Sequence, residues 1–323
     1  MKRILGMALF ISLVWACSSD NEEVVVPPTD GTPEEPTAVN FERGPMLTNW
    51  ADNIIIPSYE AFSVQMSALT TSFETFKVDA TTTNLVAFRE AWLSAYIGWQ
   101  HVSMFEIGPA ESVDFRFSMN TYPTNTDNID NHVASGMYDL SLSSNRSSKG
   151  FPALDYLING LGENDDAIIS KYTSEEKDAL LAYTEAVLAD MSSLTVEVVA
   201  DWKGSYRDTF VSNDGSSATA SVDRFVNDYI FYFEKFLRAG KMGIPLGVFS
   251  GSPLPENVEA FHKGDVSKIL FLEGLQAMQD FFNGRHFASS TIGESLASYL
   301  DNLNTIKDGE DLKALINLSS IKT

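Results

Sequence analysis

The chain has one cysteine, Cys17, in 323 residues. That excludes an intrachain disulfide and a thiolate metal cluster, so stability has to come from a packed core. Cationic side chains are also scarce: 22 Lys and Arg stand against 44 Asp and Glu, a formal net charge of −22 at pH 7. Such a surface repels phosphate backbones and anionic headgroups, which argues against nucleic acid as a partner and against membrane attachment through a basic face. Histidine is rare, and His101, His132, His262 and His286 are scattered. A His-Glu-x-x-His helix, which sets two imidazoles and a base on one face, is absent, as are the usual glycine-rich phosphate loops.

At the amino end, Lys2 and Arg3 precede an apolar run from Ile4 to Trp15 that stops at Ala16-Cys17. The run is too short to span a bilayer and reads as a secretory signal over residues 1–16. Val14-Trp15-Ala16-Cys17 resembles a bacterial lipobox, in which the cysteine is lipidated and becomes the first mature residue. The expected attachment is therefore to the outer membrane through Cys17, on its cell-surface or periplasmic face. Residues 17–40 carry Pro27, Pro28, Pro33 and Pro36 among Glu, Asp and Thr and read as an extended tether.

From Met46 onward the apolar spacing is helical. Phe62, Met66, Leu69, Phe73 and Phe76 step by fours and threes, and Leu85, Phe88, Trp92, Tyr96 and Trp99 form a second such face. Ile129, Val133, Met137 and Leu140 line a shorter helix with Asp127 as its cap. Thr173-Ser174-Glu175-Glu176 reads as a capping box ahead of Leu180, Val187, Met191, Leu194 and Val198. Val222, Val226, Tyr229, Phe233 and Phe236 follow, then Phe271, Leu275, Met278 and Phe282, and Thr291-x-x-Glu294 is read as the cap of a helix with Leu296 and Leu300. Residues 311–318 are expected to make a short final turn. With no convincing strand pairs, the pattern predicts an all-α protein of two helical bundles, 41–164 and 165–323, joined near Asn159 to Lys171.

The stretch Lys149 to Gly160 reads as a helix start, with Pro152 suited to the first turn and Leu154, Leu157, Ile158 and Leu161 on one face. Together with Trp92, Phe105-Glu106-Ile107-Gly108-Pro109, Tyr122-Pro123 and the loop Gly243-Ile244-Pro245-Leu246-Gly247, it resembles the imelysin-like family. The family's signature is Gly-x-His-x-x-Glu. Gly150 matches its glycine, while Pro152 replaces the histidine and Asp155 the glutamate. The resemblance implies the two-bundle architecture with the signature site in the cleft between bundles. It also implies a link to iron or haem acquisition, or a metal-dependent peptidase activity that the loss of the histidine weakens.

Gly150 and Asp155 are thus the signature-equivalent positions, and Glu106 and Arg207 are candidate cleft residues. Asp155 could give one oxygen to iron or another divalent metal and Glu106 another, while Arg207 could clamp an anion. Each has a plainer reading: Asp155 at a helix N-terminus, Glu106 in solvent, Arg207 paired with Asp208 or Asp201. Glu259-x-x-His262 has the i, i+3 spacing of di-iron bundles but occurs once, where helicity is doubtful. The expectation is a non-catalytic binding or accessory lipoprotein of iron or haem uptake, with metal, haem or an uptake-system protein as partner. A metallopeptidase and a purely structural interaction lipoprotein are the alternatives.

Overall fold

The computed structural model describes residues 41–303, 306–307 and 310–311. The signal and tether expectations, and all but the first residue of the expected turn at 311–318, lie outside the described residues. The described residues belong to one compact unit, and the fold is all-α. The only strand pairing among the described residues is a ladder of β1 (Ile306–Lys307) with β2 (Glu310–Asp311) and one bridge, Arg285 to Ile292.

The frame is α1 (Arg43–Asn49), α2 (Ile56–Val78) and α3 (Thr82–Gln100), followed by the short α4 (Pro109–Ser112) and α5 (Phe115–Met119). The second and third helices form an antiparallel pair whose inward faces are those read from sequence. Phe62, Phe73, Phe76, Leu85, Phe88, Trp92, Tyr96 and Trp99 are all essentially inaccessible. Thr81 caps α3 by accepting the Asn84 N–H at 3.3 Å. Next come α6 (Thr126–Ser135), α7 (Gly150–Asp155), α8 (Asp165–Thr173), α9 (Lys177–Asp201), α10 (Arg207–Ser212), α11 (Ser221–Phe231), α12 (Ser267–Phe282) and α13 (Leu296–Leu303).

The helices fall into two packed sets whose membership does not follow chain order. One groups α2, α3, α6, α7, α8 and α9; the other groups α1, α10, α11 and α12, with α3 against α12 where the sets meet. The long α9 packs on α2, α6 and α7, and Asn159 to Lys171 is largely the helix α8, capped by Asn164 through the Ala167 N–H at 2.9 Å.

Four segments are wound more widely than an α-helix: Trp50–Ile55, Tyr156–Gly160, Trp202–Tyr206 and Tyr232–Gly243. Each such turn advances more residues per revolution and rotates the next face. The Tyr232–Gly243 segment illustrates the consequence. Tyr229 is buried as the period predicts, but Tyr232 and Leu237 then replace Phe233 and Phe236 as the fully buried positions.

Several expected caps move by a few residues. Asn125, not Asp127, caps α6 by accepting the Asn128 N–H at 2.9 Å. That helix stops at Gly136, leaving Met137 exposed. Ser174 rather than Thr173 accepts the Glu176 N–H ahead of α9. Ser295 and Ser298 exchange N–H bonds at the start of α13, in place of Thr291 and Glu294.

Candidate functional site

The signature stretch opens at Lys149, whose ammonium meets Asp190 at 3.0 Å under cover of the fold. Gly150 follows with φ +75°, and a Cβ there would lie 2.2 Å from the Met119 carbonyl oxygen. Only glycine meets both demands, the left-handed backbone and the close approach of α7 to α5. Phe151 then stacks on Tyr96 with centroids 4.4 Å apart, and its carbonyl accepts from Trp92 Nε1 at 3.2 Å. These contacts fix α7 to α3 and set the direction of Pro152 and Asp155.

Asp155 is 1% exposed. Its carboxylate accepts the backbone N–H groups of His262 (2.8 Å) and Lys263 (3.0 Å) and the Asn159 amide (3.0 Å). Burial raises its pKa to about 6, an effect partly offset by those three donors. Asp155, Pro152, Tyr122, Pro123, Phe261 and His262 are among the residues lining a cavity of about 250 Å³. An imidazole thus reaches the wall of the signature site from the loop 258–264. The His262 ring packs on Tyr156 with centroids 5.1 Å apart, and burial lowers its pKa.

The donor set does not fit a metal ion. Among the described residues no group of three or more His, Cys, Asp and Glu side chains is placed to hold one. At this site both Asp155 oxygens are engaged by N–H donors, and Pro152 offers no ligand atom.

The other two cleft candidates are held elsewhere, which corrects the expectation that they converge with Asp155. Both Glu106 oxygens face the Arg116 N–H, at 3.1 and 2.9 Å, and the Glu106 N–H donates to Asp228 at 3.2 Å. Arg116 forks onto Asp228, donates Nε–H to the Ser103 carbonyl and lies over the rings of Tyr232 and Phe236. Glu106 is therefore partly buried and hydrogen-bonded rather than free in solvent, and its pKa rises to about 8 by desolvation against the pull of Arg116. Arg207 forks onto Asp52 at 2.8 and 2.5 Å and reaches Asp208 at 2.9 Å, tying α10 to the wide turn before α2. Those carboxylates hold its pKa above the ordinary value. The Asp208 partner is the one the sequence offered, whereas Asp52 and Asp228 lie more than a hundred residues from Arg207 and Glu106 and no local spacing reveals them.

A second buried group centres on Glu259, which the sequence had offered only through its spacing from His262. Glu259 takes Lys241 as an ion-pair partner, with side chains 1% and 4% exposed, and accepts from Asn120 at 2.7 Å. Lys241 also donates to Gln100 at 2.9 Å, and Tyr96 donates to Asn120 at 2.5 Å. Glu259 and His262 do not share a helix face, since the chain turns at Ala260 with φ +57°. Glu259 points to the core while His262 faces the cavity. The available signal was an acidic and a basic residue in a glycine-punctuated segment, which has no periodicity to expose it.

Comparison with known proteins supports the same grouping. The sequence profile of the family described as Imelysin (Peptidase_M75) matches residues 55–308. Iron-regulated protein A of Synechococcus elongatus is 28% identical over 112 residues, covering 35% of this chain and only 30% of that protein. Among solved structures, one described as an iron-regulated protein A precursor from Parabacteroides distasonis superposes with a TM-score of 0.66 at 17% identity, over 81% of this chain and 79% of that one. An imelysin-like protein from Psychrobacter arcticum gives 0.57 at 18% identity, over 75% and 74%. These superpositions establish a shared fold, and the profile covers most of the chain: the protein belongs to the imelysin family.

Proposed function

We propose that this chain is a non-catalytic binding protein of iron or haem uptake, attached to the outer membrane through lipidated Cys17, and that it takes iron already complexed rather than the bare ion. The observation that supports this reading is the chemistry at the signature position. Pro152 has no donor or acceptor, and Asp155 spends its carboxylate on the turn 262–263. A metallopeptidase needs a metal-bound water and a free carboxylate base, and neither can be assembled from these groups. The cavity itself persists, with Tyr122, His262 and Phe261 as its polar and aromatic walls. Its size suits part of a ligand rather than a whole large one.

The relatives named for iron regulation supply the direction: proteins of similar sequence or fold are described by their response to iron. The test is titration of the protein with haem and with ferric citrate, alongside a metal-dependent cleavage assay on an unfolded protein. Saturable binding of either complex without cleavage is expected. Inertness toward both, or cleavage abolished by Asp155→Ala, would overturn the reading.

A further inference from the structure

The chain's acidic residues are spread so evenly that the longest interval without Asp or Glu runs from Lys235 to Pro255, between Glu234 and Glu256. That same interval contains the densest group of exposed large apolar side chains: Met242 (40%), Ile244 (40%), Leu246 (63%), Val248 (66%) and Phe249 (63%). An apolar patch of this kind, kept free of anionic charge on an otherwise acidic surface, marks an interaction site. We propose that the 242–249 loop is a lipid-docking surface that inserts these side chains into the interfacial region of a bilayer.

Three observations favour lipid over other occupants. The loop's backbone is satisfied from within, so moving it out of water strands few polar groups. The N–H of Ile244 goes to Ala239, that of Leu246 to Met242, of Gly247 to Ile244, of Val248 to Gly243 and of Gly251 to Gly247, at 2.8 to 3.0 Å. The loop is also preshaped. Phe249 folds over Gly243, and Gly247 has φ +77°, with its Cβ position 2.2 Å from the Ser252 carbonyl oxygen. Insertion therefore costs little ordering entropy.

Charge is the third. Of the cations in this interval, Lys235 packs over the rings of Phe117, Phe231 and Phe236, exposed Arg238 pairs with Glu234, and buried Lys241 pairs with Glu259. The patch is thus close to neutral, suited to a zwitterionic surface on a molecule that anionic headgroups repel. No helix among the described residues is long and apolar enough to cross a membrane, so the contact is interfacial. Acylation at Cys17, expected from the sequence, would keep the fold within about 80 Å of a bilayer, taking roughly 3.5 Å per extended residue. At that tethered concentration even weak insertion is populated.

The experiment places a reporter in the chain from Cys17 onward, the mature form expected from the sequence, which leaves out Trp15. Trp50, Trp92, Trp99 and Trp202 are all buried, so Phe249→Trp adds an exposed indole, and Val196→Trp on α9, 60% exposed at the native residue, serves as control. Vesicles of phosphatidylcholine brominated on the acyl chains are the probe. A blue shift and loss of emission at position 249, absent at 196 and abolished by adding Leu246→Asp, is expected. Equal response at both positions, or quenching that survives Leu246→Asp, would overturn the proposal. So would a blue shift that grows with protein concentration without vesicles, which would assign the loop to a second copy. If Phe249→Trp does not fold, Val248→Trp carries the same reporter on the same loop.

Discussion

Gly150 carries two constraints at once, a positive φ and a carbonyl oxygen where a side chain would begin. Gly150→Ala should therefore destabilise the fold by about 3 kcal/mol or more, well beyond the usual cost of a backbone substitution, as read from urea denaturation midpoints. Asp155→Ala removes the acceptor of two backbone N–H groups and an amide in a buried place. A loss of about 2–4 kcal/mol is expected, with protease sensitivity rising first in the 258–264 loop. The carboxyl's protonation gives a separate signature. Because its folded pKa, about 6, lies above the value of 3.8 for a free carboxyl, its contribution to stability is complete below about pH 4 and is lost as pH rises through 6. The span is about 3 kcal/mol at 1.36 kcal/mol per unit. Asp155→Asn should flatten that part of the stability profile whatever it does to the absolute value. Glu106, raised to about 8, gives the same sign at higher pH, and Glu106→Gln should remove the decline between about pH 5 and 8.

Among the elements, the segment 232–264 joins the wide-turn helix, the apolar loop and the run of turns that supplies His262. The Lys241–Glu259 pair pins its two ends together in the core. Removing one partner leaves a buried charge, so Lys241→Met should cost about 3–5 kcal/mol, whereas Lys241→Met with Glu259→Leu should recover much of that loss. A double-mutant cycle in guanidinium measures the coupling. Such long-range pairs were not legible in the sequence, while the helix faces were. Phe62 to Phe76 and Leu85 to Trp99 follow an unbroken period, and their burial matches it. Legibility fails where the winding changes: the wide turn after Phe231 rotates the face, and no residue type announces it. The caps were missed for a related reason, since Asn125 and Ser295 compete with equally suitable neighbours within four residues.

For the whole molecule, the signature glycine and the position of its acidic partner were readable, and the glycine's role follows from the backbone geometry at Gly150. What Asp155 does could not be read, because the two backbone N–H groups it accepts come from more than a hundred residues away, and only Asn159 is a near neighbour. Nor could the convergence of Glu106 and Arg207 on it be tested by spacing, and the fold places each in its own ion network. This imelysin fold carries a cavity at its signature stretch and spends the Asp155 carboxylate on a structural turn. On this reading iron reaches this protein as a complex. Titration of the protein with haem and, separately, with ferrous ion, each beside Asp155→Ala, tests that claim most directly. The account predicts saturable haem binding and no stoichiometric ferrous binding in the unaltered protein. One tightly held ferrous ion per chain, lost in Asp155→Ala, would contradict it.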